Sequence, residues 1–218
     1  MNRELQTRWL GRISYGEALA MQEEIVARKR ADHSLADELL LLEHEPVYTI
    51  GRTPDRSSLR GADHLPHPLF PINRGGQATY HGPGQLVGYP MVDLLHHGQD
   101  LHRYLRWMED VLTELLATFR VPAQTRTGLT GVWIEDRKIA SVGVGVRQWI
   151  TMHGFALNVC GDLAAFEQIV PCGIADVTMT SIEKESGDTW PVEQVAARAA
   201  ELFANRMADL RAGTALAT

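Results

Sequence analysis

A glycine-rich segment holds the densest group of polar side chains in this sequence. Residues 74–85 read RGGQATYHGPGQ and contain four glycines and a proline, too many for a regular helix or strand. Glycine lets backbone N–H groups approach a ligand closely, Arg74, Thr79 and Tyr80 add side-chain donors, and His81 titrates near neutral pH. The segment is not a phosphate-binding P-loop, because no Gly-Lys-Ser/Thr follows the glycines. It is either a binding loop or a surface loop whose glycines serve turns alone.

Two cysteines and one lysine are candidates for nucleophilic chemistry. Cys172 lies between a proline and a glycine, and such a rigid, tightly turning segment suits the presentation of a nucleophile. Alternatively, a free cysteine packs in the core as a small hydrophobic residue. Cys160, which we place in an apolar strand, fits that description. Lys138 begins a predicted strand, where a lysine is ordinarily a solvated end charge. The small residues that follow it nevertheless allow a bulky group to lie against the strand.

Nine histidines suggest a metal site, but their spacing argues against one. His64 and His67 are interleaved with prolines that exclude a shared helical face, and the adjacent His96 and His97 point apart on either a helix or a strand. We therefore predict no metal ion. His153 lies in a strand pattern, and we interpret it as a core histidine with satisfied hydrogen bonds.

The composition indicates one ordinary globular domain spanning residues 1–218. The chain is 44% hydrophobic and 22% charged, which excludes a disordered chain, a fibrous protein and a disulfide-stapled scaffold. Its net charge of -6 does not indicate the basic surface that is typical of nucleic-acid-binding proteins. The N-terminus lacks the apolar core of a signal peptide, and the most apolar uncharged run, 148–161, is shorter than the roughly 18 residues of a membrane span. We expect a cytoplasmic protein with reduced thiols, with neither nucleic acid nor membrane as partner, and a frayed tail after about residue 211.

The elements that must position these residues alternate between helices and strands. Ser14 and Glu17 have the spacing of a capping box and predict a helix that ends near Ala31. Asp100 caps the most clearly amphipathic helix, and Pro191 stands at the first position of a final helix. Apolar runs of strand length cover residues 9–14, 39–42, 47–50, 85–93, 130–134, 138–146 and 150–159, and residues 163–169 are a short helix candidate. Hairpin-linked strands among helices indicate an α+β or mixed-sheet α/β single domain.

Taken together, these segments resemble the lipoyl(octanoyl) transferase family. The matching segments are residues 45–52, 74–76, 79–90, 138–143, 153–159 and 171–173, in the family's order. The run from Thr79 to Pro90 is long and specific, far more so than an isolated glycine pattern. The resemblance implies a single α+β domain with a mixed β-sheet and flanking helices, like the catalytic domain of biotin and lipoate protein ligases.

The resemblance also implies an activity, its partners and its site. The activity is transfer of an octanoyl group from octanoyl-acyl carrier protein, through a cysteine thioester, to a lysine of lipoyl domains. The acceptors are 2-oxoacid dehydrogenase E2 subunits and glycine-cleavage H protein, no cofactor is needed, and a monomer is expected. By position, Cys172 is the acyl-thioester nucleophile and Lys138 lowers its pKa. The implied substrate-contacting residues are Arg74, Gly75, Gly76, Gln77, Ala78, Thr79, Tyr80, His81, Ser141, Val142, Gly143, Gly154, Phe155 and Ala156.

The residues also fit this chemistry on physical grounds. An ammonium beside a thiol lowers the pKa of the thiol, which Lys138 does if the fold brings it next to Cys172. Backbone N–H groups of Gly75, Gly76 or Gly173 are candidates for holding an oxyanion. Small residues in the implied strands leave room for an alkyl chain, whose burial contributes about 0.8 kcal/mol per methylene and roughly 5 kcal/mol in all.

Three other functions stay open at this level. An ATP-dependent lipoate or biotin ligase shares the fold and a strand lysine but does not need Cys172. A cysteine acyl hydrolase would use His81 as its base and release the acyl group to water. A non-catalytic binding module would be insensitive to thiol-directed reagents.

Overall fold

In the computed structural model, a mixed β-sheet carries helices on both of its faces. The structure describes residues 4–52, 58–59, 65–170 and 177–212. Its strands are β1 (Leu5–Ile13), β2 (Asp37–His44), β3 (Val47–Ile50), β4 (Leu69–Pro71), β5 (Thr79–His81), β6 (Gln85–Met91), β7 (Gln124–Arg126), β8 (Leu129–Ile134), β9 (Arg137–Arg147), β10 (Ile150–Asn158) and β11 (Thr178–Met179). Its helices are α1 (Tyr15–Ala31), α2 (Leu101–Thr118), α3 (Ile182–Ser186) and α4 (Val192–Ala212), with 3₁₀ turns at Leu94–His96 and Ala164–Gln168.

The larger sheet has the strand order β1-β2-β6-β10-β9-β8-β7. The β1–β2 pair is parallel, the other pairs along this path are antiparallel, and the short β11 adds in parallel to β9 beside Lys138. A smaller sheet has the order β4-β3-β5. The predicted α+β architecture with a mixed sheet is therefore confirmed.

The apolar side chains form three clusters that hold these layers together. Helices α2 and α4 pack on one face of the large sheet, where Leu112 and Phe203 are fully buried. Helix α1 covers the opposite face through Ile25. The small sheet packs through Tyr48 against the 3₁₀ turn that contains Phe166. No helix in the described ranges is long and apolar enough to cross a bilayer.

The predicted helix starts are correct to within a residue. Ser14 and Glu17 form a complete capping box at α1, and the side chain of Asp100 accepts a hydrogen bond from the Arg103 N–H at the start of α2. Helix α4 begins at Val192 rather than at Pro191, because the Pro191 carbonyl already accepts the first backbone hydrogen bonds of that helix. Most of the tail expected to fray lies outside the described residues.

The hairpin between β8 and β9 positions Lys138, the second residue of β9. Its loop is Glu135-Asp136, and Arg137, which falls between the two predicted strand runs 130–134 and 138–146, belongs to β9. The pairing register shifts between Val132 and Trp133, so that Trp133 lies opposite Lys138. Val132 and Trp133 are consecutive in β8, whereas their partners Ala140 and Lys138 are separated by Ile139. Strand β9 therefore carries one extra residue in a local irregularity, which increases the local twist.

Candidate active site

A cavity of about 410 Å³ lies beside β9, where the sheet opens. Strand β8 pairs with β9 as far as Ala140. Farther along, the segment that contains Arg74 and Gly75 lies against β9, with the Gly75 N–H donating to the Val144 carbonyl at 3.0 Å. The cavity is therefore built where three elements distant in sequence meet: β9 with β10, the start of α2, and the glycine-rich segment.

Most of the predicted site residues meet in this cavity. Those that line it are Lys138, Arg74, Gly75, Gly76, Thr79, His81, Ser141, Val142, Gly143, Gly154, Phe155 and Ala156. Cys172 lies outside the described residues, as does Gly173. The cavity thus contains Lys138 and residues of segments 74–81, 141–143 and 154–156, which the family resemblance had implied as parts of one site.

Three of the predicted substrate-contacting residues do not line the cavity. The Tyr80 ring packs against Tyr48, His67 and Phe166 beside the small sheet. Ala78 is fully buried in the same cluster, and Gln77 is half-buried outside the cavity wall. In an extended segment, successive side chains point to opposite sides. Residues adjacent in sequence to Thr79 therefore face the small sheet rather than the cavity.

Lys138 is buried, with 1% of its surface exposed, and lines the cavity wall. Its Nζ lies 5.1 Å from the centroid of the Trp133 ring, a cation–π distance. On the other side, Met179 of β11 pairs with Lys138 in the sheet. The interpretation of this lysine as a solvated end charge is wrong, because β11 and the Trp133 ring enclose it.

A buried carboxylate supports the strand beneath Lys138. Gly131 has a φ of +120°, and a Cβ there would lie 2.6 Å from the Lys138 Cε. The Gly131 N–H donates to Glu109 Oε1 of α2 at 2.6 Å. Burial raises the pKa of Glu109, although that hydrogen bond and Arg106 act in the opposite direction. Sequence reasoning missed this contact, yet an acidic residue within the apolar stripe of α2 was a signal for it.

Arg74 holds the glycine-rich segment in place. Its guanidinium donates to the Thr49 carbonyl at 3.2 Å, to Thr49 Oγ1 at 2.9 Å and to the Gly75 carbonyl at 2.9 Å. Arg74 was predicted to contact the substrate, but several of its N–H groups donate hydrogen bonds to the protein's own backbone carbonyls. The expectation that the Gly75 N–H holds an oxyanion is wrong, because that N–H donates to the Val144 carbonyl.

His81 is held in one tautomer by a chain of amides. Gln85 Nε2 donates to the Tyr80 carbonyl at 3.2 Å and to Asn158 Oδ1 at 2.9 Å. The remaining Gln85 Oε1 faces His81 Nδ1 at 2.8 Å, so Nδ1 carries the proton and donates it. Burial, with His44 and Arg74 nearby, lowers the pKa of His81 to about 3. A base this weak is poorly matched to proton abstraction near neutral pH, which disfavours a hydrolase that relies on His81.

Two glycines in the cavity wall, Gly143 and Gly154, allow neighbouring segments to pack closely against the backbone. Gly143 and Gly154 pair across β9 and β10. A Cβ on Gly154 would lie 2.2 Å from the Gly88 carbonyl oxygen, and one on Gly143 would lie 3.3 Å from both Arg74 Cδ and the Gly75 carbonyl oxygen. Gly154 therefore has a packing reason to be glycine, since β6 occupies the space where a Cβ would lie.

The surroundings of the His153 ring differ from those predicted for a core histidine. It is 98% buried, since 2% of its surface is exposed, and it lines the cavity. Neither Nδ1 nor Nε2 has a hydrogen-bond partner in the part of the chain that the structure describes. Burial, together with Arg74 and Arg147, lowers the pKa of His153 to about 4. The expected satisfied core histidine is therefore a neutral, unsatisfied imidazole in the cavity wall.

Sequence reasoning missed several other cavity residues. Tyr15 and Tyr89 line the cavity beside His81, and burial raises the pKa of both phenols. Leu101 and Leu105 of α2 supply part of its apolar wall. Tyr89 lies within the motif that carries the resemblance, so it could have been found. Tyr15 and the two leucines are brought to the cavity by tertiary packing alone.

Cys160 lies outside the cavity wall. It follows β10, is half-buried and packs against the main core. Burial raises the pKa of its thiol, as do Glu183 and Glu43. A thiol that resists ionisation is a poor nucleophile, which agrees with the interpretation of Cys160 as a structural residue.

Comparison with known proteins accounts for this arrangement. The model of the lipoyl protein ligase A/B catalytic domain family matches residues 14–204. The chain belongs to this family. Within the lipoyl protein ligase A/B family, an octanoyltransferase of Geobacter sulfurreducens is 50% identical over 200 residues, which are 92% of this chain and 83% of the relative. An octanoyltransferase of Synechococcus elongatus is 46% identical over 90% of this chain and 85% of its own length.

Solved structures support the fold. A putative lipoate protein ligase from Thermoplasma acidophilum, with bound lipoic acid, superposes with a TM-score of 0.74 at 15% identity, over 94% of this chain and 86% of the other. The biotin protein ligase of Aquifex aeolicus has a TM-score of 0.56 at 13% identity, over 98% of this chain and 72% of the other. The predicted relation to the catalytic domains of lipoate and biotin protein ligases, and to the lipoyl(octanoyl) transferase family, is confirmed.

Proposed function

We propose that this chain transfers an octanoyl group to a lysine of a lipoyl domain through a thioester on Cys172. The transferase activity itself is supported by relatives named octanoyltransferase at about half identity over most of the chain, so the predicted enzyme class is confirmed. The observation that supports the mechanism is the buried Lys138, which lies in the wall of a cavity with an apolar side. The thioester route, the partners and a cytoplasmic location are proposals.

The donor is octanoyl-acyl carrier protein, and the reaction needs no activation by a nucleotide. In the first step, the Cys172 thiolate attacks the donor's thioester carbonyl. A new C–S bond to Cys172 forms as the C–S bond to the carrier breaks, and the carrier leaves as a thiolate, which takes up a proton from solvent. One thioester replaces another, so the step is nearly isoenergetic. Because Cys172 stores the acyl group as a thioester, carboxylate adenylation is unnecessary.

The acceptor is the lysine of a lipoyl domain, carried by 2-oxoacid dehydrogenase E2 subunits or by glycine-cleavage H protein. Its unprotonated amine attacks the Cys172 thioester. A C–N bond forms as the C–S bond breaks, the nitrogen loses one proton, and the Cys172 thiolate is regenerated. Conversion of a thioester to an amide is downhill, which drives the transfer to completion.

Lys138 would stabilise the Cys172 thiolate by its positive charge. An opposite charge within about 4–6 Å favours the ionised form of a thiol, and in a site shielded from water that attraction is stronger than in bulk solvent. The Trp133 ring, Gly131 and β11 hold the lysine against the cavity wall. This cation therefore acts from a defined position.

The apolar side of the cavity would hold the alkyl chain. Leu101, Leu105 and Leu129 face it from α2 and β8, and Val142 and Phe155 face it from β9 and β10. Burying the methylenes of an octanoyl chain contributes about 0.8 kcal/mol each. The binding energy for the substrate thus comes from a part of it that does not react, and it can be used to position the reacting carbonyl.

Intact-mass measurement tests the thioester. The protein is mixed with octanoyl-acyl carrier protein, and we expect one octanoyl adduct that disappears when a lipoyl domain is added. Cys172→Ser should abolish both the adduct and the amide product, whereas the matched Cys160→Ser should largely retain them. Equal loss in two folded variants, or a Cys172→Ser protein that still transfers, would contradict the assignment.

The same assay separates the alternatives. Amide formed only in the presence of ATP would identify a ligase. Free octanoate in place of an amide on the acceptor would identify a hydrolase. Insensitivity of the parent protein to a thiol-directed reagent would favour a binding module.

A further inference from the structure

Thr180 lies directly after β11 and joins three elements of the molecule by hydrogen bonds. The residue is buried, with 2% of its surface exposed. The Thr180 N–H donates to the Lys138 carbonyl of β9 at 3.0 Å, and the Thr180 carbonyl accepts from Asn158 Nδ2 of β10 at 2.9 Å. Its hydroxyl donates to Glu185 Oε1 of α3 at 2.6 Å. The chain is thus fastened to the backbone of Lys138 shortly after the segment that contains Cys172.

Glu185 is a fixed acceptor for the Thr180 hydroxyl. Arg137, the residue before Lys138 in β9, donates to both carboxylate oxygens of Glu185, at 2.8 Å to Oε1 and at 3.1 Å to Oε2. These hydrogen bonds lower the pKa of Glu185, and the bond from Thr180 acts in the same direction, whereas burial opposes them. An arginine bound to both oxygens of a carboxylate holds it in a defined geometry. The Thr180 side chain is therefore tied to β9 through Arg137, in addition to the backbone bond at Lys138.

The other end of this hydrogen-bond network reaches the cavity wall. Asn158 Oδ1 accepts from Gln85 Nε2 at 2.9 Å, and Gln85 Oε1 accepts from His81 Nδ1 at 2.8 Å. Asn158 is 2% exposed, and His81 lines the cavity. Buried side-chain networks whose members are satisfied make their surroundings rigid. The position of Thr180 is therefore set from two sides, by β9 with α3 and by the amides next to His81.

The pairing of β11 with β9 contributes little to fix this position by itself. Strand β11 has two residues, and its Met179 pairs with Lys138. A slip by one residue would move this segment by about 3.3 Å along β9 and would turn its side chains to the opposite face. Cys172 precedes Met179 by only seven residues. The hydrogen bonds of Thr180 therefore hold the register of the segment that connects Cys172 to Lys138.

We infer that Thr180 is a positioning residue for acyl transfer: it fixes where the segment that follows Cys172 joins the backbone of Lys138, and so sets the spacing between the thiol and the ammonium. The inference rests on the proposed function, in which the Lys138 charge stabilises the Cys172 thiolate. Thr180 lies outside the cavity wall, so it acts through these two residues and not on a substrate. Coulomb attraction falls as the distance between two charges grows. A looser anchor therefore makes the Cys172 thiol ionise at a higher pH.

Substitutions of similar size test the role of the Thr180 hydroxyl. Thr180→Val removes the hydroxyl and leaves both backbone hydrogen bonds, whereas Thr180→Ser keeps it. Thr151→Val is the matched control, because the Thr151 hydroxyl is also buried and donates to the Pro90 carbonyl at 2.7 Å. Thr151 lies outside the cavity wall and pairs with the β9 residue eight positions after Lys138.

The measurements are the pH dependence of Cys172 alkylation by iodoacetamide, followed on the Cys172 peptide by mass spectrometry, the melting temperature and the single-turnover transfer rate. We expect Thr180→Val to raise the midpoint pH of alkylation by about half a unit and to slow transfer about tenfold. Thr180→Ser should stay near the parent in both, and Thr151→Val should lower the melting temperature without moving the midpoint. A parent-like midpoint in folded Thr180→Val, or an equal rise in Thr151→Val, would overturn the inference. If Thr180→Val fails to fold, Asn158→Leu, which removes the donor to the Thr180 carbonyl, decides by the same midpoint.

A double-variant cycle shows whether Thr180 acts through Lys138. In Lys138→Ala the cation is absent, so the addition of Thr180→Val should raise the alkylation midpoint no further. An additional rise in this background would overturn the inference, because spacing from the ammonium could not cause it. Alkylation requires no acyl donor. If the parent transfers no octanoyl group, the proposed function fails, while the midpoints of Thr180→Val and of the double variant still decide the role of Thr180.

Discussion

Lys29 and Lys138 are both 1% exposed, yet their surroundings differ. Lys29 Nζ donates to Asp37 Oδ1 at 3.0 Å and to the carbonyls of Leu35 and Ala36 at 3.3 and 2.8 Å, so all three of its protons have acceptors. Lys138 lies over the face of Trp133 and lines the cavity.

The surroundings of Lys29 form a closed network. Asp37 also accepts hydrogen bonds from His97 Nε2 at 2.9 Å and from the Asp93 N–H at 2.9 Å. The network ties α1 to β2 and to the segment after β6. A buried charge that is paired and hydrogen-bonded is compatible with the core, but it has no remaining proton for a substrate.

Burial alone therefore does not distinguish Lys29 from Lys138, for which we propose a functional role. What differs is the position: Lys29 lies outside the cavity wall, beside a carboxylate and two carbonyls, whereas Lys138 lines the cavity. From the sequence, Lys29 lies on a helix rich in arginine and lysine and gives no sign of either state. The following predictions test the distinction, from the largest expected effect to the smallest.

Removal of the Lys138 ammonium should affect chemistry far more than stability. We expect Lys138→Ala to slow acylation by about a hundredfold or more and to raise the pH at which Cys172 reacts with iodoacetamide, because the thiolate loses its neighbouring cation. The rate is measured by single-turnover transfer and the pH dependence by alkylation. An unchanged alkylation profile would show that Lys138 serves another purpose, such as gripping the donor.

Removal of the Lys29 ammonium should affect stability far more than chemistry. Lys29→Met leaves Asp37 buried without its cation, and breaking a buried ion pair in this way costs about 3–5 kcal/mol of unfolding free energy. Denaturant unfolding measures the loss, and transfer per folded molecule should stay within about twofold of the parent. If Lys29→Met instead reduced the transfer rate as strongly as Lys138→Ala, the distinction between the two lysines would fail.

Glu109 links helix α2 to the strand beside Lys138, and its replacement should have an intermediate effect on transfer. Glu109→Leu leaves the buried Gly131 N–H unpaired, at about 1–3 kcal/mol, and releases the strand irregularity beneath Lys138. We expect a several-fold slower transfer and a rise in the alkylation pH of Cys172, in the direction seen for Lys138→Ala. Glu109→Gln keeps an acceptor oxygen for Gly131 and should restore both. Loss of stability without any shift in alkylation pH would assign Glu109 a purely structural role.

Acid should weaken the Lys29 network. Burial opposes ionisation of Asp37, but the hydrogen bond from His97 and the charge of Lys29 outweigh it and lower the pKa of this carboxyl. Because the folded-state pKa lies below the unfolded value of about 3.9, the associated stability is present above that pH and is lost as the pH falls through the folded-state pKa. The unfolding free energy of the parent should therefore fall more between pH 5 and pH 3 than that of Lys29→Met. Parallel curves for the two proteins would contradict this account.

Local sequence determined much of this protein. Side chains that act on their own backbone neighbourhood were predictable: the capping box of Ser14 and Glu17, the Asp100 cap, and the hairpin around residues 135–136. The strand after Lys138 was also predicted, and the glycine-rich segment was singled out because glycines and polar side chains cluster there; residues of both line the cavity. These features depend on interactions within a few residues, which a linear sequence displays directly.

Only the tertiary structure decided how these elements share a site. Whether Lys138 is solvated or buried depends on β11 and on the Trp133 ring. Whether the Gly75 N–H is available depends on the Val144 carbonyl, 69 positions away in the sequence. His153 could be recognised as unsatisfied once its neighbours across β6, β9 and α1 were in place. The physical reason is the same in each case: hydrogen-bond satisfaction and burial are set by groups that folding brings together from distant parts of the chain.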